Sequence, residues 1–409
     1  MMQCRHCHAE LDLNFVDLGA SPPSNSYLTV ESLSKPETWY PLRVLTCTRC
    51  WLVQTEDFAR RDEFFSDDYA YFSGISASWL RHAEAYVEAM VERFGLSADS
   101  HVVEVASNDG YLLQYVQARG ISCLGVEPTA STAAAARERG IEVRQEFFGE
   151  SLARQLVAEG RSADLTAANN VLAHVPDIND FVKGFATLLK PNGVATFEFP
   201  HLMRLVSERQ FDTIYHEHYS YLSLSAVQAI FAANGLTVFD VEELPTHGGS
   251  LRVFAQRSDV LPHQISQRVH DLLGREREAG VTTPAYYQAL QPQAEAIADD
   301  LLAFLIQAKR DSKKVVGYGA AAKGNTLINF AGIRPHLLPW VVDRSPAKVG
   351  KYLPGSRIPV VDESRIAKER PDFVLILPWN LRDEVVAQLG FVRDYGGQFV
   401  TAVPELRIF

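Results

Sequence analysis

Four of the five cysteines in this 409-residue chain fall into two Cys-x-x-Cys pairs, Cys4/Cys7 and Cys47/Cys50. Two residues between cysteines let both thiolates face one ion, and two such pairs complete a tetrahedral sulfur shell that suits Zn²⁺. The stretch from Cys4 to His8 also matches a haem-attachment pattern, but attachment follows export, and the N-terminus lacks a basic region followed by an apolar core. The sequence therefore predicts a structural zinc site.

The length and the charge restrict the class of protein. A chain of 409 residues is too long for one ordinary core, so two or three domains are expected. The net charge of -11 disfavours a nucleic-acid partner. No run of about 18 apolar residues predicts a membrane span, and the sparse cysteines suit a reducing compartment. We expect a soluble, cytoplasmic monomer that binds neither nucleic acid nor membrane.

Apolar strand candidates alternate with helical patterns along the middle of the chain. An amphipathic helix is predicted over 76–94, and the strands are expected at 101–106, 122–127, 163–168 and 193–199. This alternation predicts an α/β fold with a mostly parallel, doubly wound sheet. Residues 265–310 predict long helices, and from Lys313 a second β/α series begins with KKVVGYGAAAKGNTL, which predicts a Rossmann-like C-terminal unit.

The first predicted strand of the sheet leads into a short polar turn. In an open sheet of this kind, backbone N–H groups and Asx caps at such a turn face the ligand crevice. Glu127 follows the second strand, where a carboxylate can accept both hydroxyls of a ribose. The turn lacks Gly-x-Gly-x-x-Gly and suits a nucleoside without phosphates. The predicted cofactor contacts here are Glu104, Ala106, Ser107, Asn108, Gly110 and Glu127.

The densest ionisable cluster is Tyr215-His216-Glu217-His218-Tyr219. Two histidines and a glutamate suggest a metal site, but Glu217 and His218 would face opposite sides of a regular strand. The unperturbed pKa of histidine suits proton abstraction near neutral pH, and a neighbouring Glu or Tyr can orient it or hydrogen-bond an enolate. The cluster therefore favours acid-base chemistry over metal binding.

Four motifs carry a resemblance to a known family. The segment HVVEVASNDGYLLQ resembles motif I of S-adenosylmethionine-dependent methyltransferases. Together with IYHEHYSYLS, HGGSLRV and GYGAAAKGN, it makes the whole chain resemble the sugar C-methyltransferases that act on nucleotide-linked 4-keto deoxysugars. The resemblance implies a zinc-binding module at 1–65, a methyltransferase domain at 66–257, and a helical linker with a Rossmann-like domain at 258–409.

The resemblance also implies S-adenosylmethionine as the cofactor. Asn169 and Asn170 would lie by its methionine part, and Phe147, with Phe148, would pack beside its adenine. The alternatives are Asx caps for Asn108 and Asn170 and core packing for each ring. Ala106 replaces the first glycine of the motif, so we expect the backbone there not to use a glycine-only conformation.

For the reacting centre, the resemblance implies that His218 is the base, with Tyr215 and Glu217 beside it. His174 would line the same cleft, and Tyr69 would close over the sugar. The chemistry is coherent, because a ketone at C4 acidifies the hydrogen at C3. His218 could then remove that proton, and the enolate carbon could attack the sulfonium methyl while Tyr215 stabilises the enolate oxygen.

Two glycine-bearing loops remain open to more than one interpretation. His247, Gly248 and Gly249 can form a hairpin turn or bring backbone close to the sugar. The loop with Lys323 and Asn325 fails the P-loop pattern and predicts either an anion nest for a diphosphate or a vestigial dinucleotide fold. Asp343 ends the next strand, where an NAD ribose ligand would lie.

Three alternative functions are open from the sequence. An NAD-dependent sugar dehydrogenase would use the C-terminal loop. An inactive, zinc-scaffolded binding protein has Ala106 as its support, against the intact histidine-glutamate cluster. Methylation of nucleic acid is disfavoured by the acidic charge. The carrier nucleotide, the sugar carbon and the stereochemistry are left open.

Overall fold

The computed structural model describes residues 2–56, 58 and 72–409. Tyr69, predicted to close over the substrate, lies outside the described residues.

The strands, numbered in chain order, are β1 Leu13–Ser21, β2 Tyr40–Thr46, β3 Val53–Thr55, β4 His101–Val105, β5 Ser122–Val126, β6 Val143–Arg144, β7 Ala163–Asn169, β8 Leu189–Pro200, β9 Ser220–Tyr221, β10 Leu236–Leu244, β11 Ser250–Arg257, β12 Val315–Tyr318, β13 Val341–Asp343, β14 Val360–Asp362, β15 Phe373–Ile376, β16 Gln398–Thr401 and β17 Arg407–Ile408.

Helices alternate with these strands through the middle and C-terminal parts of the chain. They are α1 Ala77–Phe94, α2 Leu113–Gln117, α3 Ala130–Glu138, α4 Glu150–Ala158, α5 Ile178–Leu188, α6 Leu202–Ser207, α7 Leu224–Ala233, α8 Gln267–Ala279, α9 Pro284–Tyr287, α10 Leu290–Arg310, α11 Ala322–Phe330, α12 Ser364–Glu369 and α13 Arg382–Gln388. Among the described helices, none has the length and apolar character that a bilayer crossing requires.

The middle sheet has seven strands in the order β10-β11-β8-β7-β4-β5-β6. The strands from β8 to β6 are parallel to one another, whereas β11 runs antiparallel to both of its neighbours. This confirms the predicted doubly wound α/β sheet. Because parallel strands end at the same edge, the turns that follow β4, β5 and β7 meet there.

Helix α1 has the start and stop signals that its sequence predicts. The Ser76 side chain accepts a hydrogen bond from the Trp79 N–H, and Gly95 ends the helix in a left-handed conformation with φ 61°. The buried face carries Ala83, Tyr86, Val87 and Met90. This face packs on the middle sheet, so the helix is held beside the crevice.

The N-terminal module is joined to the rest of the molecule through its own sheet, ordered β1-β2-β3-β9. Strand β9 comes from the middle of the chain, and Val53 in β3 pairs with Tyr221 in β9. Since β9 begins directly after Tyr219, the module is hydrogen-bonded to the segment that follows the histidine cluster. The third sheet, β14-β13-β12-β15-β16-β17, forms the C-terminal Rossmann-like domain.

Candidate active site

The four cysteines predicted as metal ligands come together. The Sγ atoms of Cys4, Cys7, Cys47 and Cys50 all lie within 4.8 Å of one another. The backbone of each pair turns back on itself, because the His8 N–H donates to the Cys4 carbonyl at 2.9 Å and the Trp51 N–H donates to the Cys47 carbonyl at 2.9 Å. A closed set of four sulfur donors fits structural Zn²⁺.

The turn after β4 is built from left-handed residues. Ala106, Asn108 and Gly110 have φ values of 59°, 49° and 76°. The expectation for Ala106 was therefore wrong, because the alanine does adopt a positive φ. Such a conformation costs a non-glycine residue about 1–2 kcal/mol, and here the Ala106 N–H donates to the Val126 carbonyl at 2.8 Å.

Glu127, the predicted ribose ligand, is fixed by two backbone amides. Its Oε2 accepts from the Asn108 N–H at 2.9 Å, and its Oε1 accepts from the Thr129 N–H at 2.9 Å. These bonds hold the carboxylate at the end of β5, against the turn after β4. Each oxygen keeps a second lone pair for another donor.

Beneath the turn lies a set of buried polar side chains. Burial raises the pKa of Glu104 well above its usual range. Neither carboxylate oxygen of Glu104 and neither polar atom of the Asn169 side chain has a hydrogen-bond partner among the described residues. Ser107 is buried with its Oγ against Gly125. These buried polar atoms fit a site that hydrogen-bonds the polar groups of a nucleoside cofactor.

The crevice is covered by aromatic side chains from two segments. The Trp79 ring lies 5.9 Å from Tyr111 and 5.3 Å from His247, measured between centroids. Asn170, with φ 54°, has its Nδ2 3.4 Å from Nε2 of His247. The Asn108 Oδ1 accepts from the Ser73 N–H at 2.9 Å, so this side chain joins the turn after β4 to the segment before α1.

The two phenylalanines after β6 differ in environment. Phe148 is buried and packs against Phe181 and Phe185, with ring centroids 5.7 and 4.8 Å away, which confirms the core alternative for this residue. Phe147 is exposed. The place of Phe147 beside an adenine stays a prediction.

His218 lies among other rings, and a hydrogen bond from its Nδ1 fixes its tautomer. Its ring centroid is 4.0 Å from Tyr215 and 4.6 Å from His174. Its Nδ1 donates to the Thr213 carbonyl at 3.0 Å, so the lone pair of the neutral imidazole is on Nε2. Burial, reinforced by His174, lowers the pKa of His218 well below its usual range. The ring is thus neutral at pH 7 and can accept a proton.

The other members of this cluster point in different directions. The Glu217 carboxylate accepts from the Asn25 amide, and burial raises the pKa of Glu217 to about 7. His216 turns to the N-terminal module, with Nε2 3.1 Å from the Pro41 carbonyl. Among the described residues, the only group placed to hold a metal is the four cysteines. The side chains of His216 and Glu217 therefore do not converge on one point.

His174 is placed beside His218 by a hydrogen bond of its own. Its Nδ1 donates to the backbone carbonyl of Glu217 at 2.8 Å. Burial lowers the pKa of His174 to about 4, so this ring is also neutral at pH 7. The structure therefore brings His174, Tyr215 and His218 together, as predicted.

The loop from Thr246 to Gly249 joins β10 to β11, so it is the tip of a hairpin. Gly248 and Gly249 have φ values of 90° and 113°. A Cβ added at Gly248 would lie 2.6 Å from the Trp379 ring, and one at Gly249 would lie 2.6 Å from the Arg204 side chain. The close approach that these glycines permit is to protein side chains, and contact with a sugar stays a prediction.

The C-terminal loop contributes Lys323 and Asn325. The Lys323 Nζ donates to the Asn380 Oδ1 at 2.7 Å, and burial lowers the pKa of Lys323. Asn325 is buried and donates to the Ser24 carbonyl at 2.7 Å, so it binds a loop of the N-terminal module. The substrate contacts predicted for both side chains stay predictions.

Asp343, where an NAD ribose ligand was considered, repeats the arrangement of Glu127. Its Oδ2 accepts from the Ala320 N–H and its Oδ1 from the Ser345 N–H, both at 2.8 Å. A carboxylate at the end of the second strand therefore fixes the glycine-bearing turn in both Rossmann-like units.

Several residues of the site carried no signal in the sequence. Thr213 acts through its backbone carbonyl, which any residue type supplies. Asn25 and Trp379 are far from His218 in the sequence, and Asp212 lacks a motif of its own. Only the folded chain brings these residues into contact with the histidine cluster and the turn before it.

Three family models match successive parts of the chain. Family models match residues 4–65 (zinc binding domain), 79–241 (methyltransferase domain) and 245–404 (C-methyltransferase C-terminal domain). A solved magnesium protoporphyrin IX methyltransferase from Synechocystis PCC 6803 is 15% identical with a TM-score of 0.35, over 45% of this chain and 82% of that one.

Two curated relatives are also similar to the chain. The ubiquinone biosynthesis O-methyltransferase of Sodalis glossinidius is 24% identical over 150 residues, which are 34% of this chain and 60% of that protein. C-methyltransferase NovU from Streptomyces niveus is 33% identical over 406 residues, which are 99% of this chain and 96% of NovU. The chain therefore belongs to the family of C-methyltransferases that includes NovU.

Proposed function

We propose that this C-methyltransferase transfers a methyl group from S-adenosylmethionine to C3 of a nucleotide-diphosphate-linked 4-keto-6-deoxysugar. The observation that carries the proposal is the hydrogen bond from His218 Nδ1 to the Thr213 carbonyl. It leaves Nε2 of a neutral imidazole as a proton acceptor in the cleft beside the methyltransferase crevice. The whole-length similarity to NovU supports transfer to carbon.

The first step is proton abstraction. The C4 ketone acidifies the C3–H bond, so Nε2 of His218 takes the proton and becomes N–H, while the C–H electron pair forms the enolate. The depressed pKa of His218 keeps the ring neutral before the step. Tyr215, whose ring packs on His218, is the candidate donor to the enolate oxygen.

The cofactor residues lie at the neighbouring edge of the middle sheet. When bound, S-adenosylmethionine supplies an electrophilic methyl group. In this proposal Glu127 holds the ribose hydroxyls, Glu104 and Asn169 bind the amino-acid part, and the left-handed turn at Ala106 and Asn108 lies against the nucleoside. Trp79 covers the crevice and limits access of water.

The direct test incubates purified protein and S-adenosylmethionine with a panel of dTDP- and GDP-linked 4-keto-6-deoxysugars. We expect a mass gain of one methyl on one of them, with solvent deuterium entering at the carbon beside the ketone. His218→Ala should abolish both. His336→Ala, at an exposed position, is the matched control and should retain them.

Two outcomes contradict the proposal. If His218→Ala exchanges that hydrogen at the normal rate, another residue is the base. If NAD binds tightly and S-adenosylmethionine does not, the chain has dehydrogenase chemistry instead.

A further inference from the structure

Trp379 makes a hydrogen bond from the C-terminal domain to the turn before the histidine cluster. It begins the short 3-10 helix Trp379–Leu381, directly after strand β15 and Pro378 in the C-terminal domain. Its indole Nε1 donates to Asp212 Oδ2 at 2.8 Å. Asp212 is fully buried and lies in the 3-10 turn Phe211–Thr213, just before the histidine cluster.

The turn that Trp379 contacts is the one that orients His218. Thr213 follows Asp212 directly in the chain, and its N–H donates to the Gln210 carbonyl at 3.0 Å. The carbonyl of Thr213 in turn accepts from Nδ1 of His218 at 3.0 Å. The hydrogen bond from the indole to Asp212, the peptide bond between Asp212 and Thr213, and the hydrogen bond from the imidazole to Thr213 thus connect Trp379 to His218.

A second path reaches the same turn. The Trp379 ring packs on Gly248, where an added Cβ would lie only 2.6 Å away. The Gly248 carbonyl accepts from Gln210 Nε2 at 2.8 Å, and the Gln210 carbonyl accepts from the Thr213 hydroxyl at 2.7 Å. Trp379 therefore restrains Thr213 through both the hairpin tip and Asp212.

We propose that Trp379 is a positioning residue, which sets the orientation of the His218 imidazole from the C-terminal domain through Asp212 and Thr213. The inference rests on the proposed function, in which His218 is the base. It assigns the C-terminal domain a part in the proton-abstraction step itself.

The position of Trp379 predicts a specific kinetic signature. A base displaced by a fraction of an ångström loses its alignment with the C–H bond, while substrate binding is little changed. Removing the indole N–H should therefore lower kcat and the deuterium exchange rate and leave KM nearly constant. A variant without an aromatic ring would also lose the contact with Lys323, whose Nζ lies 4.6 Å from the ring centroid. The effect of the missing N–H could then not be separated from the effect of the missing ring.

The test compares Trp379→Phe, which keeps a ring but removes the N–H, with Trp340→Phe as the matched control. Trp340 is a buried tryptophan of the same domain that packs in the opposite core cluster. We expect Trp379→Phe to lower kcat and deuterium exchange roughly 10- to 100-fold with KM within about threefold, and Trp340→Phe to leave kcat unchanged. Asp212→Asn, which keeps an acceptor for the indole, should lower kcat less than Asp212→Ala.

A spectroscopic measurement gives a readout independent of turnover. In protein with ¹⁵N-labelled histidine, assigned through His218→Asn, the His218 signals should report Nδ1–H and an unprotonated Nε2. Trp379→Phe should shift the His218 Nδ1 signal or mix the two tautomers. Melting temperatures of the variants show whether the fold is retained.

The inference is overturned if Trp379→Phe raises KM with kcat unchanged, if Trp340→Phe has the same effect, or if the His218 signals do not move. The proposed function can fail separately. If the native protein methylates no sugar of the panel, the ¹⁵N shifts in the two tryptophan variants still decide whether Trp379 orients His218.

Discussion

The side-chain amide of Asn25 donates to both carboxylate oxygens of Glu217, at 2.8 and 2.7 Å. Asn25 belongs to the segment between β1 and β2 of the zinc-binding module, and Glu217 belongs to the histidine cluster of the methyltransferase domain. The preceding residue, Ser24, is held by Asn325 of the C-terminal domain. The loop that carries Ser24 and Asn25 is thus hydrogen-bonded to both the methyltransferase domain and the C-terminal domain.

Replacing Asn25 should change the pH dependence of the enzyme. Burial raises the pKa of Glu217 to about 7, and the Asn25 hydrogen bonds oppose that rise by favouring the ionised form. Asn25→Ala removes this opposition, so the pKa of Glu217 should rise above about 7. In a plot of kcat/KM against pH, the limb that reflects ionisation of Glu217 should therefore move to higher pH.

Ser26→Ala is the matched control for this prediction, since Ser26 is an exposed neighbour in the same loop. Asn25→Asp should have the larger effect, because it places a second carboxylate against Glu217. Identical pH profiles for Asn25→Ala, Asn25→Asp and the native enzyme would show that Glu217 does not control the rate.

Loss of zinc should inactivate the enzyme as well as destabilise it. The four thiolates close the module, and its strand β3 pairs with β9 directly after the histidine cluster. We expect chelation, or Cys47→Ser, to lower the melting temperature by several degrees and to abolish methyl transfer. Cys123→Ser, outside the cluster, should change neither. Full activity after complete zinc removal would contradict this prediction.

Glu276 should be important for stability. It is fully buried in α8 and accepts hydrogen bonds from His201 Nε2, the Leu224 N–H, and the Ser225 N–H and Oγ, at 2.6 to 2.8 Å. Leaving these donors without an acceptor should lower the free energy of unfolding by about 3 kcal/mol in Glu276→Ala. Urea denaturation measures the loss, and Glu278→Ala, at an exposed position of the same helix, should lose little.

The stabilisation by Glu276 should also depend on pH. Burial opposes ionisation, but the bonds from His201 and Ser225 hold the pKa of Glu276 below its usual value of 4.5. A carboxyl with a depressed pKa stabilises the fold above 4.5 and loses that contribution as pH falls through the folded-state pKa. The difference in unfolding free energy between the native protein and Glu276→Ala should therefore shrink below pH 4.5. A constant difference would mean that the ionised form is not what the site stabilises.

The substitution Ala106→Gly tests the one departure from motif I. Glycine would relieve the left-handed strain but would lose more backbone entropy on folding, and the two effects are each about 1 kcal/mol. Stability and S-adenosylmethionine affinity, measured by calorimetry, should therefore change little. Ala106→Val should weaken both, because a β-branched residue tolerates positive φ poorly. A large gain in affinity for Ala106→Gly would instead support the inactive-protein alternative.

The parts of the fold that depend on local patterns were predictable. The alternation of apolar strands and helices over 101–200 indicated the parallel sheet, and the cysteine spacing indicated the metal cluster. At Ala106 the expectation failed because the neighbouring backbone bond to Val126 imposes a conformation that the residue type disfavours. The conformational preference of the alanine is thus weaker than the constraints that the folded turn imposes on its backbone.

The sequence by itself determined the four-cysteine cluster and the doubly wound sheet, because these follow from spacing and residue chemistry. Only the tertiary structure decided how the His218 ring and the Glu217 carboxylate are oriented. His218 depends on a backbone carbonyl at Thr213, and Glu217 depends on an amide nearly two hundred positions away in the chain, at Asn25. Hydrogen bonds to backbone atoms and between distant segments leave no periodic signal, so they emerge when the three parts of the chain pack around one cleft.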